Sequence, residues 1–321
     1  MNYLKKVILL LSAIILTFTL AGCRQERPEN AIAERIENQN EPTIRWGVKA
    51  DTNLFGQYSV AEGEIIGFDI DMAKAITDIM TDGQGTPEFV EVTSKTRIPL
   101  LTNGNIDAII ATMTISAERA EEVNFSKVYF NGGQNLLVAE DSPINGIDDL
   151  TGDDTVIAIK GSTSAQNFRE IKPEVNVVDL ENYSEGFVAL QAGQGEALTT
   201  DNAILLGMVD TNPNFRLAGE NFTVEPYGIA IDKSETDFQE KVNSAIEEIV
   251  ASGLYDEIYT KWFGEFLPNE NAGAELVPVN DWVNNNVYSE GGEGIIAGAE
   301  SINEALKTFR ENASQEESGE E

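Results

Sequence analysis

Short β-type runs alternate with helical patterns along this chain, and this alternation restricts the choice of fold more than any other property. From Ile44 the order is IRWGVK, IIGFDID with the helical MAKAITDIM, EFVEV, the helical IPLLTNG and the apolar DAIIATMT. A second set comprises TVIAIK, the helical SAQNFREI, VNVVDL, the helical SEGFVALQAG, ALTT and AILLGM. Apolar residues at helical spacing then predict an amphipathic helix over 236–252. The sequence therefore predicts α/β architecture.

Composition excludes several classes of function. The chain has 321 residues with 55 Asp and Glu against 21 Lys and Arg, a formal charge of −34. So acidic a chain has no broad cationic face for nucleic acid. Because it contains no histidine, Ser-His-Asp and Cys-His sites and imidazole metal ligands are excluded as well. The acidic DDLTGDD lacks EF-hand spacing, so we expect neither a metal nor a cofactor.

The N-terminus has the pattern of an export signal. Lys5 and Lys6 precede an apolar run over 7–20 that is too short to span a bilayer comfortably. The run ends in LAGC, which resembles the lipobox of bacterial lipoproteins, and Cys23 is the only cysteine. This resemblance implies a signal peptide over 1–22, a lipid on Cys23 and attachment to the outer face of the cell membrane.

The segments that flank the α/β pattern differ from it in composition. RQERPENAIAERIENQNEPT follows Cys23, is polar and charged, and is interpreted as a flexible tether, so folding is predicted to begin near Ile44. After Gly264 the chain becomes strongly acidic, and AESINEALKTFREN is predicted to form an isolated amphipathic helix within it. The function of this extension is not predicted.

The stretch from Thr93 to Phe130 resembles the solute-binding proteins of bacterial ABC importers for polar amino acids. GVKADTNLFG, GFDIDMAKAI, KGSTSAQNF, LTTDNAILLG, EPYGIAI and LYDEIYTKWFG occur in the order of that family. The resemblance covers about Thr43 to Gly264 and implies the type II periplasmic-binding-protein fold, in which two α/β lobes joined by two hinge crossovers close on one ligand. By analogy the crossovers lie near 129–133 and 223–227. The implied organisation is a tether over 23–42, a discontinuous first lobe over 43–128 plus 228–264, a second lobe over 134–222, and an acidic, partly disordered extension over 265–321.

Three residues of the first lobe are candidates for binding a carboxylate, and one of them, Arg119, matches a family position. The resemblance implies that Arg119 binds the α-carboxylate of an amino acid through a bidentate pair, which contributes about 1.5–3 kcal/mol net. Thr112 and Thr114 lie two apart in an extended run, so their hydroxyls share a face and would bind ligand oxygens. The alternatives are a surface arginine and two solvated threonines.

The second lobe is expected to complete the site. Thr163 and Ser164 open a helix whose free N–H groups would bind the same carboxylate. Asp201 matches the family acid that receives the α-ammonium. Ordinary helix capping is the alternative role for all three residues.

Side-chain specificity is predicted to depend on Arg97, with Lys49 and Ser94 nearby. TSKTRIPLL resembles the segment of glutamate and aspartate binders in which the arginine meets the distal carboxylate. Cationic groups in one cleft would favour an anionic ligand, and a buried arginine that faces a neutral amide would cost about 2–5 kcal/mol. The alternative is that Arg97 pairs with a carboxylate of the protein, and related glutamine binders carry the same arginine.

Two further features of the first lobe admit more than one interpretation. Many family members place an aromatic residue over the ligand near 52–56, where this chain offers Leu54 or Phe55 as the cover. Asp69 and Asp71 are predicted to be helix-capping aspartates rather than paired catalytic or metal carboxylates.

The function predicted from these features is that of a lipid-anchored, monomeric receptor. It would bind glutamate, or else glutamine or aspartate, and deliver the ligand to an ABC permease and its ATPase. An extracytoplasmic enzyme on the same fold, such as a cyclic-acid dehydratase, is an alternative that would need a poised carboxylic acid without help from histidine. A sensory partner that signals closure to a membrane receptor is a third hypothesis.

Overall fold

The computed structural model describes residues 28–264. Cys23, the signal segment and the acidic extension with its predicted helix lie outside the described residues. Within them the chain forms two lobes, each built on a five-stranded sheet, and a small three-stranded sheet lies beside the first.

The first lobe contains the N-terminal and the C-terminal parts of the described chain. Its main sheet comprises β1 (Thr43–Val48), β5 (Thr86–Glu91), β6 (Ala108–Ile109), β7 (Val123–Gly132) and β13 (Glu225–Asp232), in the order β5-β1-β6-β13-β7. The small sheet comprises β2 (Asp51–Thr52), β3 (Gly56–Ser59) and β4 (Glu64–Ile66). The helices are α1 (Ala31–Asn38), α2 (Phe68–Met80), α3 (Arg97–Thr102), α4 (Ala117–Glu122), α8 (Thr236–Ala251) and α9 (Leu254–Phe263). The predicted amphipathic helix is thus confirmed as α8.

The second lobe is one continuous stretch of chain. Its sheet comprises β8 (Gln134–Ala139), β9 (Thr155–Ile159), β10 (Asn176–Leu180), β11 (Ala197–Asp201) and β12 (Phe215–Leu217), in the order β10-β9-β11-β8-β12. Its α-helices are α5 (Thr163–Ile171), α6 (Tyr183–Gln191) and α7 (Asn202–Asp210). Successive residues of β8 point to opposite faces of the sheet, so Leu136 and Leu137 belong to two different apolar clusters.

Two crossovers connect the lobes. The first is short, because β7 ends at Gly132 and β8 begins at Gln134. The return path leads from β12 to β13, which begins at Glu225. A hydrogen bond of 3.0 Å from the Gln134 backbone N–H to Thr223 Oγ1 joins the two crossovers. The predicted two-lobed α/β fold with two crossovers is confirmed.

The prediction of a flexible tether up to residue 42 is wrong for its second half, which contains α1. Ile32, Ala33 and Ile36 are buried in the core of the first lobe. The Ile32 backbone N–H donates to Glu235 Oε2 at 3.0 Å, just before α8 begins. The apolar residues of α1 lie on one face and pack against the core, which outweighs the polar composition of the segment. Within residues 28–264, no helix has the length and apolar character that a membrane span needs.

Candidate functional site

Most of the predicted contact residues meet where the two lobes face each other. The first lobe contributes Lys49, Ser94, Arg97, Thr112, Thr114 and Arg119, and the second contributes Thr163, Ser164 and Asp201. All of these residues except Thr163 are at most 9% exposed. Contacts across the lobes bring Arg119, Arg97 and Asp201 close together in the buried cleft between them.

Arg119 spans the two lobes directly. The Ser116 side chain caps α4 by accepting from the Arg119 backbone N–H. The guanidinium donates to Thr114 O at 2.7 Å within its own lobe and to Gly161 O at 3.0 Å in the other. Burial lowers the pKa of Arg119, whereas the nearby Glu225 and Asp201 raise it. Arginine keeps its proton in proteins, so this group is a fixed cation in the cleft.

Arg97 is a second buried cation, at the first residue of α3. Its Nη1 donates to Ala111 O at 2.6 Å, and its Nε has no hydrogen-bond partner. Burial and the neighbouring positive charge of Arg119 lower the pKa of Arg97 to about 9, so it is charged at neutral pH. Within the described part of the chain, Arg97 forms no ion pair. The alternative in which it pairs with a carboxylate of the protein is therefore wrong for these residues.

Thr112 has an unusual backbone, and Asp69 holds it. Its φ of 46° lies in the left-handed region, which a regular strand does not contain. Within the predicted extended run DAIIATMT, only Ala108–Ile109 forms a regular strand, β6. The Thr112 backbone N–H donates to Asp69 Oδ2 at 3.0 Å, and the Tyr129 hydroxyl donates to Asp69 Oδ1 at 2.9 Å. The Thr112 hydroxyl itself has no partner.

The prediction that Asp69 and Asp71 cap a helix is wrong. The N-cap of α2 is Gly67, and no side chain caps it. Asp69 is turned inward to Thr112, and burial raises its pKa to about 7. Asp71 instead accepts from Lys261 at 2.6 Å and from Trp262 Nε1 at 2.7 Å, which attaches α9 to α2.

Acidic groups lie on the opposite side of the cleft. Asp201 precedes α7 but does not cap it, which excludes the capping alternative. Its Oδ2 accepts from the Tyr227 hydroxyl, and its Oδ1 has no partner. Burial and the negative charge of Glu225 raise the pKa of Asp201. The unpartnered carboxylate oxygen is available to a cationic group in the cleft.

Glu225 was missed by the sequence analysis, although EPYGIAI and the second crossover both include it. Its Oε2 accepts from the Thr163 hydroxyl at 2.8 Å, and its Oε1 accepts from Thr223 Oγ1 at 2.8 Å and from Asn167 Nδ2 at 3.1 Å. Because the Thr163 hydroxyl donates its proton to Glu225, only the backbone N–H of Thr163 is free to donate to an anion. Burial raises the pKa of Glu225 as well.

Lys49, Asp51 and Tyr183 form a cluster that crosses the cleft. Lys49 Nζ is fully buried, 3.4 Å from Asp51 Oδ1 and 4.7 Å from the centre of the Tyr183 ring. Burial lowers the pKa of Lys49, and Asp51 opposes that change. The Tyr183 hydroxyl lies 3.1 Å from Thr200 Oγ1, so the tyrosine extends from Lys49 towards the Asp201 side of the cleft. Neither Asp51 nor Tyr183 was identified from the sequence.

Phe55 lies outside this polar cluster. Its ring is fully buried and packs against Phe68, Phe130 and Phe263, with ring centres 5.0–6.1 Å apart. It also contacts Tyr227 at 5.8 Å. These contacts make Phe55 part of the aromatic core of the first lobe. They do not support its predicted role as a cover over the ligand.

Comparisons with known proteins agree with this architecture. Residues 44–265 match the family model described as "Bacterial extracellular solute-binding proteins, family 3". The chain is 46% identical to the ABC transporter glutamine-binding protein GlnH of Bacillus subtilis over 82% of this chain and 98% of that protein. It is 47% identical to a glutamine-binding protein of Geobacillus stearothermophilus over 72% of this chain and 94% of that protein.

A solved structure gives the same result for the fold. An ancestral arginine-binding protein bound to glutamine superposes with a TM-score of 0.65 and 40% identity. The match covers 69% of this chain and 98% of that one. The family model covers well over half of the sequence, and 94–98% of the length of these relatives is matched. The chain therefore belongs to the bacterial extracellular solute-binding proteins of family 3.

Proposed function

We infer that this protein is an extracytoplasmic receptor that captures one amino acid, foremost glutamine, between its lobes and delivers it to an ABC permease and its ATPase. Family membership and the charges of the cleft support this function. The LAGC sequence supports a lipid anchor on Cys23. We propose that the receptor acts as a monomer. A Cys23→Ser protein is expected to leave the membrane fraction, and its retention there would contradict the anchor.

Opposite charges on opposite lobes are the observation that carries the proposal. Arg119 lies on the first lobe and the free Oδ1 of Asp201 on the second. An amino acid would place its carboxylate on Arg119, the free hydroxyl of Thr112 and the first N–H groups of α5, and its ammonium on Asp201. The Thr114 side chain instead hydrogen-bonds to Glu225. Such a ligand bridges the lobes and so favours the closed form.

The pair formed by Lys49 and Asp51 favours glutamine as the ligand. A carboxamide needs a donor for its oxygen and an acceptor for its NH₂ group, and this pair supplies both within 3.4 Å. Asp51 also offsets the charge of Lys49, which reduces the preference for an anionic side chain. The two glutamine-binding relatives at 46% and 47% identity support the same choice.

Glutamate is the second candidate, and Arg97 is the observation that favours it. A buried guanidinium with a free Nε and no ion pair among the described residues would gain from an anionic partner. The order of the two ligands thus depends on how far Asp51 offsets the combined charge of Lys49 and Arg97.

Calorimetric titration tests the proposal. The purified protein, freed of bound ligand by unfolding and refolding, is titrated with glutamine, glutamate, aspartate and arginine. Asp51→Asn is expected to weaken glutamine about tenfold and to shift the preference towards glutamate, since Lys49 loses its counter-charge. Arg97→Ala is expected to weaken glutamate most. Asp148→Asn, an exposed substitution with the same change of charge as Asp51→Asn, is the control for that variant. Heat from none of the four ligands would contradict the proposal.

An enzymatic function is not part of this proposal. The two close relatives are named as binding proteins. Both oxygens of Glu225 accept from hydroxyl and amide donors, and Asp201 keeps only Oδ1 free, so we assign these acids to positioning and to binding of the ammonium rather than to proton transfer. Release of an unchanged ligand after prolonged incubation, checked by mass spectrometry, is the expected result.

A further inference from the structure

The loop that begins at Asp51 reaches across the cleft to a helix of the second lobe. Asn53 Nδ2 donates to Gly207 O at 2.7 Å, a contact between residues 154 positions apart. Gly207 lies in α7. Asn53 lies in the segment 52–56, where many members of the family place an aromatic residue over the ligand. The contact involves none of the groups that we assign to the ligand.

Gly207 O belongs to the last turn of its helix, where carbonyl groups lack partners within the helix. The Asn212 side-chain NH₂ group donates to Met208 O at 2.8 Å, and the Thr211 backbone N–H donates to Val209 O. Asn53 supplies the donor for Gly207 O from the other lobe. It therefore caps the C-terminal end of α7 across the cleft, which requires the two lobes to lie against each other here.

The approach of the two backbones requires a glycine at 207. A Cβ atom there would lie 2.8 Å from Asn53 O and 3.1 Å from Asn53 C and Cβ. Carbon atoms do not approach a backbone oxygen so closely, and the nearest atoms are backbone rather than the end of a flexible side chain. Any larger residue at 207 would hold the loop and the helix apart.

The loop is fixed in the conformation that makes this contact. Leu54 has a φ of 71°, a left-handed conformation that leucine rarely adopts. The Leu54 backbone N–H donates to Asn53 Oδ1 at 2.9 Å, and the Phe68 backbone N–H donates to Leu54 O at 2.7 Å. The two ends of the Asn53 amide thus have separate tasks, since the oxygen holds the turn and the nitrogen reaches the second lobe.

A second contact from the same loop also ends on a helix terminus. Asp51 Oδ2 accepts from the Tyr183 backbone N–H, the first residue of α6, at 2.8 Å. A carboxylate suits the N-terminal end of a helix, and an amide donor suits a C-terminal end. The loop therefore docks on two helices of the second lobe with matching chemistry.

We propose that Asn53 and Gly207 form a latch that stabilises the closed form and sets ligand affinity without contacting the ligand. This inference depends on the proposed function, in which a ligand binds by closing the lobes. A contact made only in the closed form shifts the equilibrium between open and closed forms, and affinity follows the population of the closed form. The latch therefore strengthens binding of every ligand by the same factor.

Asn53→Asp is the sharpest single test, because it keeps the size of the side chain and the oxygen that holds Leu54. It replaces the donor with an oxygen that faces Gly207 O. We expect glutamine and glutamate to bind about 5- to 10-fold more weakly, by an equal factor. Asn105→Asp, an exposed change of equal charge in the first lobe, is expected to leave both affinities unchanged.

Gly207→Ala tests the latch from the other lobe. Alanine favours helix over glycine, so α7 itself is not weakened and the melting temperature is expected to hold. Affinity for both ligands is expected to fall about tenfold or more, and the double variant with Asn53→Asp is expected to bind no more weakly than Gly207→Ala alone. Gly146→Ala, where a Cβ meets nothing within 4 Å, is the matched control. Additive losses, a changed ratio of the two affinities or unchanged binding would each overturn the latch.

Scattering by the ligand-free protein separates this inference from the proposed function. Gly207→Ala is expected to have a larger radius of gyration than wild type, whereas Gly146→Ala is expected to match wild type. Equal radii for all three would overturn the latch. A wild-type protein that binds none of the tested amino acids would contradict the proposed function, and the scattering result would still decide about the latch.

Discussion

At the scale of single residues, Asp69 has a role that differs from the one its neighbours in the sequence predict. Its place after Gly67 at the start of a helix predicts a cap, yet it is fully buried and holds the left-handed backbone of Thr112. A side chain in the first turn of a helix can face the core as well as the N-terminal N–H groups. The neighbours that decide between these roles, Thr112 and Tyr129, lie 43 and 60 positions away.

Asp69→Asn is expected to remove part of the pH dependence of stability. The pKa of Asp69 is raised from 3.8 to about 7, so the folded protein retains a proton that the unfolded chain releases. Stability therefore falls as the pH rises from about 4 to about 7, by about 1.4 kcal/mol per pH unit, and then levels off. Urea unfolding at pH 5 and pH 8 measures this difference. The exposed variant Asp148→Asn is the control and is expected to show the same change in unfolding free energy with pH as wild type. An equally steep change in Asp69→Asn would contradict the prediction.

Ligand binding is expected to release a proton from Asp201. Burial and the nearby Glu225 raise the pKa of Asp201, whereas an ammonium group on its free oxygen would stabilise the ionised form. Affinity should therefore increase as the pH rises from 6 to 8. Titration in phosphate and in Tris, which differ in ionisation enthalpy, measures the released protons. A binding heat that does not depend on the buffer would contradict this assignment.

At the scale of secondary-structure elements, α1 links the two ends of the discontinuous first lobe. The helix lies at the N-terminal end of the described chain, and its contacts lie next to the start of α8. Asn30 N donates to Ser234 O at 2.9 Å, and Lys241 pairs with Glu37 at 3.0 Å. These contacts attach an N-terminal helix to a C-terminal segment of the same lobe.

Ile32→Ala is expected to destabilise the protein by about 2–5 kcal/mol, because it leaves a cavity beside a side chain that is 1% exposed. Thermal unfolding measures the loss. Glu34→Ala, on the exposed side of the same helix, is the control and is expected to change stability little. Ligand affinity should remain that of wild type in both variants, since neither residue lies in the cleft. An Ile32→Ala protein as stable as the control would show that α1 adds nothing to the core.

At the scale of the whole molecule, charge dominates the solution behaviour. The chain carries a formal charge of −34, while Arg97 and Arg119 are kept as buried cations in the cleft. Repulsion among the many carboxylates opposes folding, and salt screens it over a Debye length of about 10 Å at 0.1 M and about 3 Å at 1 M.

The melting temperature is therefore expected to rise by several degrees between 0.05 M and 1 M NaCl. Calorimetry or circular dichroism measures it. KCl at equal concentration distinguishes general screening, which predicts the same rise, from binding of a particular cation. A melting temperature that is independent of salt would contradict the view that self-repulsion limits stability.

The amino-acid sequence by itself determined the features that depend on neighbours along the chain. The periods of strands and helices predicted the α/β lobes, and local motifs predicted Arg119 and Asp201 as binding residues, because these signals lie within short windows of sequence. The prediction of a tether failed at α1, because its short apolar face is stabilised only by packing against a core built from distant parts of the chain.

Only the tertiary structure decided which distant residues act together. Glu225 reaches Thr163 across 62 positions, and Asn53 reaches Gly207 across 154. No local pattern marks either pair, because each contact joins segments that are far apart in the sequence. The physical reason is that hydrogen bonding and burial depend on distance in space, whereas the sequence records only order along the chain.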